Sequence, residues 1–550
     1  MLLGEHISCL VFFLLIGSSL CAQDLDPPDD KKYTIGEILL EKHTIFDEEE
    51  GSSFFHRAAN ALHVITQDHV IEREFLFKKG DSYRASLLEE TERNLRQLGF
   101  IAEAHIYVEF HQNQTVTVTV KVRDKFSLSV GASGGFSGGE STFRFLLGES
   151  NFLGRGVDID AQYVYSEEES GIGLSYFDPR FLDSRHKVFA SIDLLDEREK
   201  YQIIAERPFF SLETLWSWGG SVLYQESHSV YYHAGEEVNR VPTERFSVDT
   251  FLQRAWGDRT FRLKFGPRLS FSTPGFSPPL PEDVVAGYEL AIPTDRHIIG
   301  VSLATSLDWF PQYIERKELD AIDFVEDLAL GVSVGLNLGL SYWDMEGGHG
   351  PRLPLELNLV STFQPAEDQI ATLLTSGTLR RGDGETEAWG FSSALHYYYS
   401  GLPSQTLALS LSFNAGKDSL DLPVQFTLGE NSGLRGYDAR YFEGDRRLRI
   451  NFEDRIFTPF ELFTLRLGLV AFLDAGYAWE SSQGFQSDDL KVSAGFGFRV
   501  GSARFFQGSV LRIDFAFPFD EEGSDGISVS VTTGQVFTLY SNPDKLTLRW

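Results

Sequence analysis

The chain has 550 residues, more than one ordinary globular core holds, so length alone predicts several domains or one large closed sheet. Aromatics reach 13% while mean hydropathy is slightly negative, a mix that suits apolar residues diluted by alternation with polar ones. The net charge of −32 argues against a nucleic-acid partner, because a phosphate backbone needs a basic face; it does not exclude a membrane.

The first 22 residues read as a secretory signal, with an apolar core from Cys9 to Ile16 and cleavage expected near Ala22. The match is imperfect, since no Lys or Arg stands in the first eight positions, and bulky Leu20 argues against lipidation at Cys21. Both cysteines lie in this segment, so no disulfide, Cys-ligated zinc or Cys catalysis is expected beyond it. No later run of about 18 apolar residues exists, so entry into a membrane requires a closed barrel.

Residues 23–32 form a polar linker containing two prolines. Residues 33–123 then read as a small α+β domain in the order strand, helix, helix, strand, strand. The strand is YTIGEILLE; Phe55, Ala58, Leu62 and Ile65 fall at helical spacing, with His63 a structural residue on that first helix. In the second helix, Ser86 and Glu89 form a capping box, Leu88, Leu95 and Leu98 make the apolar stripe, and Gly99 ends it. Two strands follow, and Val116, Val118, Val120 and Val122 share one face of the second.

Across residues 124–537 the helical period gives way to period two. Leu407, Leu409, Leu411 and Phe413 alternate with small or polar residues; Phe496, Phe498 and Val500 alternate with Gly495, Gly497 and Arg499. Leu511, Ile513 and Phe515 alternate with Arg512, Asp514 and Ala516. Long polar segments separate such runs. The expected fold is mainly β: an antiparallel transmembrane barrel of about 16 strands, at about 26 residues per strand and connection. Residues 538–550 are a C-terminal tail. The G-x-S-x-G match at Ser133 sits in an alternating strand rather than a strand-to-helix turn, and no phosphate loop or close histidine pair is present. The residues indicate no enzyme, no metal and no cofactor.

The loop LGENSGLRGYDARYFEG at 428–444 places Arg435 in a Gly- and Asn-rich connection between two such runs. Folded into a polar lumen, its guanidinium needs a carboxylate, and its planar fork suits bidentate pairing. Glu453, on the polar side of a strand whose Leu448, Ile450 and Phe452 face outward, and Asp474, in FLDAG, are the candidates. Gly476 leaves room for another backbone. An arginine solvated in an external loop is the other reading these residues allow.

LGENSGLRGY followed by FLDAG resembles the paired signatures of the outer-membrane assembly-factor superfamily, which includes BamA- and TamA-like barrels and bacterial surface antigens. ESNFLGRG and YFDPRFL resemble the family's first hairpins, and the α+β domain, with LLEETERNLRQLGF and VRDKFSL, resembles a single POTRA (polypeptide-transport-associated) unit. The resemblance implies that Arg435, Gly436 and Tyr437 enter the lumen and meet Asp474, with Phe472, Gly476 and Glu453 taking part. It also implies a lateral seam between a first strand near 125–136, weakened by Gly131, Gly134 and Gly135, and a last strand near 526–537 that ends at Phe537.

The implied location is a bacterial outer membrane with the POTRA unit in the periplasm. The implied partners are outer-membrane lipids, unfolded or exported client proteins, and periplasmic accessory proteins. The implied role is insertion, assembly or translocation of other proteins, with clients received by β-augmentation. Two rival roles use the same barrel: a dedicated translocator of one exported protein or lipid, and a passive porin or solute transporter. The single POTRA unit departs from BamA relatives, which carry several, and puts recruitment of accessory lipoproteins in doubt.

Overall fold

The computed structural model describes residues 33–45, 63–137, 140–166, 169–322, 325–345, 348–418, 422–462, 465–501, 510–524 and 526–539. The expected signal segment and linker, most of the expected first helix (Phe55, Ala58 and Leu62) and the last eleven residues of the expected tail lie outside them.

The N-terminal domain is a three-stranded sheet covered by helix. Strand β1 (Thr34–His43) pairs parallel with β3 (Thr115–Asp124), which pairs antiparallel with β2 (Ile101–Phe110). Between β1 and β2 run a short helix α1 (Asp68–Glu72) and the longer α2 (Ala85–Arg96). The four alternate valines of β3 face Leu88 and Leu95 of α2 in one core with Ile35, Val70, Ile71 and Phe100. Burial of that valine face against the helix is the main stabilising term of so small a domain. The expected capping box does not form. Helix α2 starts at Ala85, so Ser86 lies inside the first turn, and Arg84 at the cap position makes no side-chain cap. His63 and Ile65 lie in a loop rather than on a helix; buried His63 Nε2 sits 2.9 Å from Asp124 Oδ2.

From Leu128 the chain is an antiparallel meander whose strands follow one another round a closed ring, the last (Ser528–Thr533) beside the first (Leu128–Ser137). Twenty strands form the ring among the described residues, more than the expected sixteen. The reason is uneven length. The first six strands have 8–10 residues each, whereas the next five have 16–22, and an average spacing conceals both classes. Outward positions are apolar and exposed, as at Leu409, Leu411, Phe496 and Phe498, while Ser410, Ser412 and Arg499 point inward and are buried. An exposed apolar band over a polar interior is the pattern of a barrel solvated by lipid.

The sheet domain sits against one end of this barrel through α2. Arg96 donates to both carboxylate oxygens of Asp327 (2.9 and 2.7 Å) and to Glu315 (2.7 Å). Arg259 of the barrel reaches Glu90 of the helix at 2.7 Å. The connection 208–214 tucks beneath α2: Leu212 N–H donates to Glu90 (2.6 Å), while Arg262 and Lys264 lie over the Phe209 ring.

Candidate functional site

The site is built where the 428–444 loop meets the inner wall. Arg446–Leu462 and Leu465–Trp479 are adjacent strands, paired in register from Arg446↔Trp479 through Asn451↔Asp474 to Phe457↔Gly468. Period two therefore sends Glu453, Phe472 and Asp474 inward together, each buried, while Phe452 and Leu473 point out and are exposed.

Arg435 descends into this wall and is completely buried. Its Nε and one terminal nitrogen donate to the two oxygens of Asp474 (2.6 and 2.9 Å), the planar fork-to-fork arrangement. The other terminal nitrogen donates to Glu453 Oε1 (2.9 Å) and Asp514 Oδ2 (3.2 Å). The guanidinium lies 3.5 Å from the centre of the Phe472 ring, so an aromatic face covers the side not used by hydrogen bonds. Gly436 has φ +94°, and its N–H donates to Glu430 Oε2 (2.7 Å). A side chain there would meet both that left-handed backbone and Ala516 and Pro518 at 3.3 Å. Tyr437 donates its hydroxyl to Val492 O (2.8 Å) and lies 3.3 Å from Asp520. Burial first, then Asp520, push this hydroxyl up to about 12, so it remains a donor at neutral pH.

All seven residues of the expected lumen site converge. Gly476 differs in detail: the group that closes on it is the Leu428 side chain, 2.9 Å from where a Cβ would stand, along with Leu448 O of the neighbouring strand. Sequence reasoning missed a second tier. Arg455 donates to Glu453 (2.9 Å) and Asp320 (2.8 Å), and Arg499 bonds Asp514 at 2.5 Å. Arg435, Arg455 and Arg499 with Glu453, Asp474, Asp514 and Asp320 thus form one buried network of alternating sign. Asp514 was legible as an inward position from its alternation, but nothing in the sequence ties it to Arg435, 79 positions away. Gly495 was also missed: a Cβ there would lie 2.2 Å from the Phe472 ring, so the glycine makes the ring's seat.

The expected seam residues fare differently. Gly131, Gly134 and Gly135 lie on the first strand, opposite Leu146, Phe143 and Thr142. Phe537 is not a seam residue. The last strand ends at Thr533, and Gly534, at φ +86°, turns the chain into the lumen. Phe537 is buried there, stacked on His396 and packed with Tyr398, Leu319 and Leu539. Its carbonyl accepts from Arg455 (2.9 Å), and Leu539 N–H donates to Asp320 (2.7 Å). An aromatic at the end of a period-two run reads alike whether the chain continues or turns in, and only the glycine distinguishes the two.

Among the described residues, no group of three or more His, Cys, Asp or Glu side chains is placed to hold a metal ion. The arrangement is suited to holding a loop in the lumen.

Residues 63–125 match the POTRA family described as surface antigen variable number repeat, and residues 361–537 match the Omp85 superfamily domain. The second match contains the whole Arg435 network apart from Asp320. Residues 361–537 thus carry an Omp85 superfamily domain, behind a POTRA unit. It is similar to the outer membrane protein assembly factor BamA of Neorickettsia risticii, at 26% identity over 138 residues, 24% of this chain and 18% of that relative. Among solved structures it is similar to BamA from Haemophilus ducreyi lacking POTRA domains 1–3 (12% identity, 91% of this chain and 84% of that one, TM-score 0.40). It is also similar to CdiB from Escherichia coli (12% identity, 95% and 92%, TM-score 0.44). The chain thus carries a POTRA unit followed by a β-barrel whose C-terminal part matches the Omp85 domain.

Proposed function

We propose that this chain inserts, assembles or translocates other proteins at a bacterial outer membrane, opening between its first and last strands, with the POTRA unit in the periplasm. Clients pair first with the POTRA sheet and then with the seam, by backbone hydrogen bonds that need no cofactor and no catalytic step. The observation that carries this reading is the strand order β1-β3-β2, which leaves β2 at the outer edge of the POTRA sheet with Tyr107 and Phe110 exposed. An edge strand is a template for another chain. The glycine-rich first strand supports the seam, since glycine packs no side chain across a ladder.

A passive porin needs an unobstructed lumen. Here Arg435 enters from one end while Phe537 and Leu539 turn in from the seam strand. The deciding experiment is quantitative proteomics of the outer-membrane fraction after depletion of this protein. A broad fall in other β-barrel proteins is expected for a general assembly factor. Loss of one or two exported proteins means a dedicated translocator. An unchanged profile, in a strain where a larger relative is depleted as well, overturns the assembly reading in favour of lipid or solute transport.

A further inference from the structure

Two barrel turns on the POTRA side are built alike. In Asn151–Gly156 and Arg180–Lys187 a Phe-Leu pair sits in a short 3-10 turn, and in both the leucine is forced into the left-handed region, Leu153 at φ +56° and Leu182 at φ +53°. That conformation is unfavourable for a residue with a side chain, so it persists only where the surroundings impose it. The result is to hold apolar side chains outward: Leu182 is 82% exposed and Leu153 58%.

The POTRA unit braces both turns. Arg73 spans both turns, donating to Asp183 (2.9 Å) and to Arg155 O (2.9 Å). Gln67 donates through its side chain to Leu153 O (3.0 Å) and through its backbone to Gly154 O (2.9 Å). The POTRA loop adds exposed Val64 and Ile65, whose side chain and carbonyl respectively lie against Gly154 and so bring this apolar pair beside Phe152–Leu153.

We propose that Val64–Ile65, Phe152–Leu153 and Phe181–Leu182 form an apolar foot that inserts into the adjoining phospholipid leaflet and fixes the POTRA unit beneath the seam side of the barrel. Two observations select lipid as the occupant. The foot continues the outward apolar band of the strands directly joined to these turns, where Leu147, Ile159 and Leu174 are exposed. And in a chain of net charge −32, the same turns carry Arg155 and Lys187, while Asp183 is tied to Arg73 and Arg185 neutralises Glu74 of the POTRA unit; this suits anionic headgroups. The foot does not depend on what the protein's clients are.

The test uses the full chain with Cys9→Ser and Cys21→Ser, carrying single cysteines labelled with an environment-sensitive fluorophore, in vesicles of phosphatidylethanolamine and phosphatidylglycerol. Leu153→Cys and Leu182→Cys are compared with Leu174→Cys on the lipid face and Tyr107→Cys on the POTRA edge. Quenching by spin-labelled lipid at both turns, at least half that at position 174, with little quenching by iodide, is the expected result. Iodide-accessible labels at either turn, as at position 107, overturn the proposal; so does shielding that appears only after an unfolded barrel protein is added. Where a labelled leucine prevents folding, Phe152→Cys and Phe181→Cys replace it, judged by the same criteria.

Discussion

The lumen of this barrel and its junction with the POTRA unit are held by charge in opposite styles. In the lumen, Arg435, Arg455 and Arg499 and their carboxylates are all shielded from solvent, apart from a partly exposed Asp320, and each arginine bonds more than one partner. At the POTRA junction the ion pairs are graded, from buried Arg180–Glu74 to exposed Arg84–Glu213, and fall into small local groups. Arg96 is mostly buried between Asp327 and Glu315, whereas Arg84 and its partner Glu213 are each almost half exposed. A buried network fails as a unit, because removing one member strands the others in a low dielectric. Wetter pairs in small groups fail locally and weaken with salt. The contrast implies a fixed lumen network and a POTRA junction that can be loosened in steps.

The largest effect is therefore expected inside the loop network. Arg435→Ala and Asp474→Ala should each destabilise the barrel by about 3–5 kcal/mol, the scale for breaking a buried pair. Loss of the heat-resistant folded band on gels reads this out. Arg435→Lys should not restore the band, since a point charge cannot reproduce the two-pronged bond to Asp474 together with stacking on Phe472. Wild-type behaviour of both alanine variants would mean that the network is incidental to stability.

Packing beneath the arginine should come next. Gly495→Val drives a side chain into the Phe472 ring and should cost about 1–3 kcal/mol, the scale of overpacking. At Gly377, on another barrel strand, no neighbouring heavy atom lies within 4 Å of where a Cβ would stand. Gly377→Val is therefore the matched control and should leave the unfolding midpoint near wild type. Equal sensitivity of the two glycines would locate the effect in strand propensity instead of in the Arg435 site.

These residues also mark how far sequence reaches. The POTRA sheet and the barrel were legible because Val116–Val122 and Leu407–Phe413 repeat at a fixed period, and period follows from backbone geometry alone. Arg435, Glu453 and Asp474 were legible as partners because a buried arginine demands inward acids and because the motifs resemble a family. Arg455, Arg499 and Gly495 were not, since their contacts join strands that are distant in the chain and leave no local pattern. Phe537 was misplaced because one backbone angle at Gly534 decides whether the run continues or turns inward. The Ser86–Glu89 pattern fits a helix interior as well as a cap, and the first turn settled it.

At the POTRA end the effects should be smaller and separable. Arg96→Ala and Asp327→Ala, combined in a double-mutant cycle, should show a coupling of about 0.5–3 kcal/mol, because the two side chains form a mostly shielded, two-pronged pair. Hydrogen exchange in α2 reports it: the single variants should raise exchange in the helix while leaving the loop network unaffected. Exchange rising equally around Arg435 would show that the lumen network and the junction are coupled, and the contrast between them would fail.

The smallest effect belongs to Arg84. With both partners almost half exposed, its bond to Glu213 should contribute only about 0.2–1 kcal/mol. Arg84→Ala should therefore raise α2 exchange slightly at low salt, and the difference from wild type should vanish near 1 M salt, where the screening length falls to about 3 Å. The Arg96 effect should persist there, because burial excludes the screening ions. If both effects disappear together on adding salt, the POTRA end is held by general electrostatic attraction, and Arg96 is no more than one contributor among the surface charges.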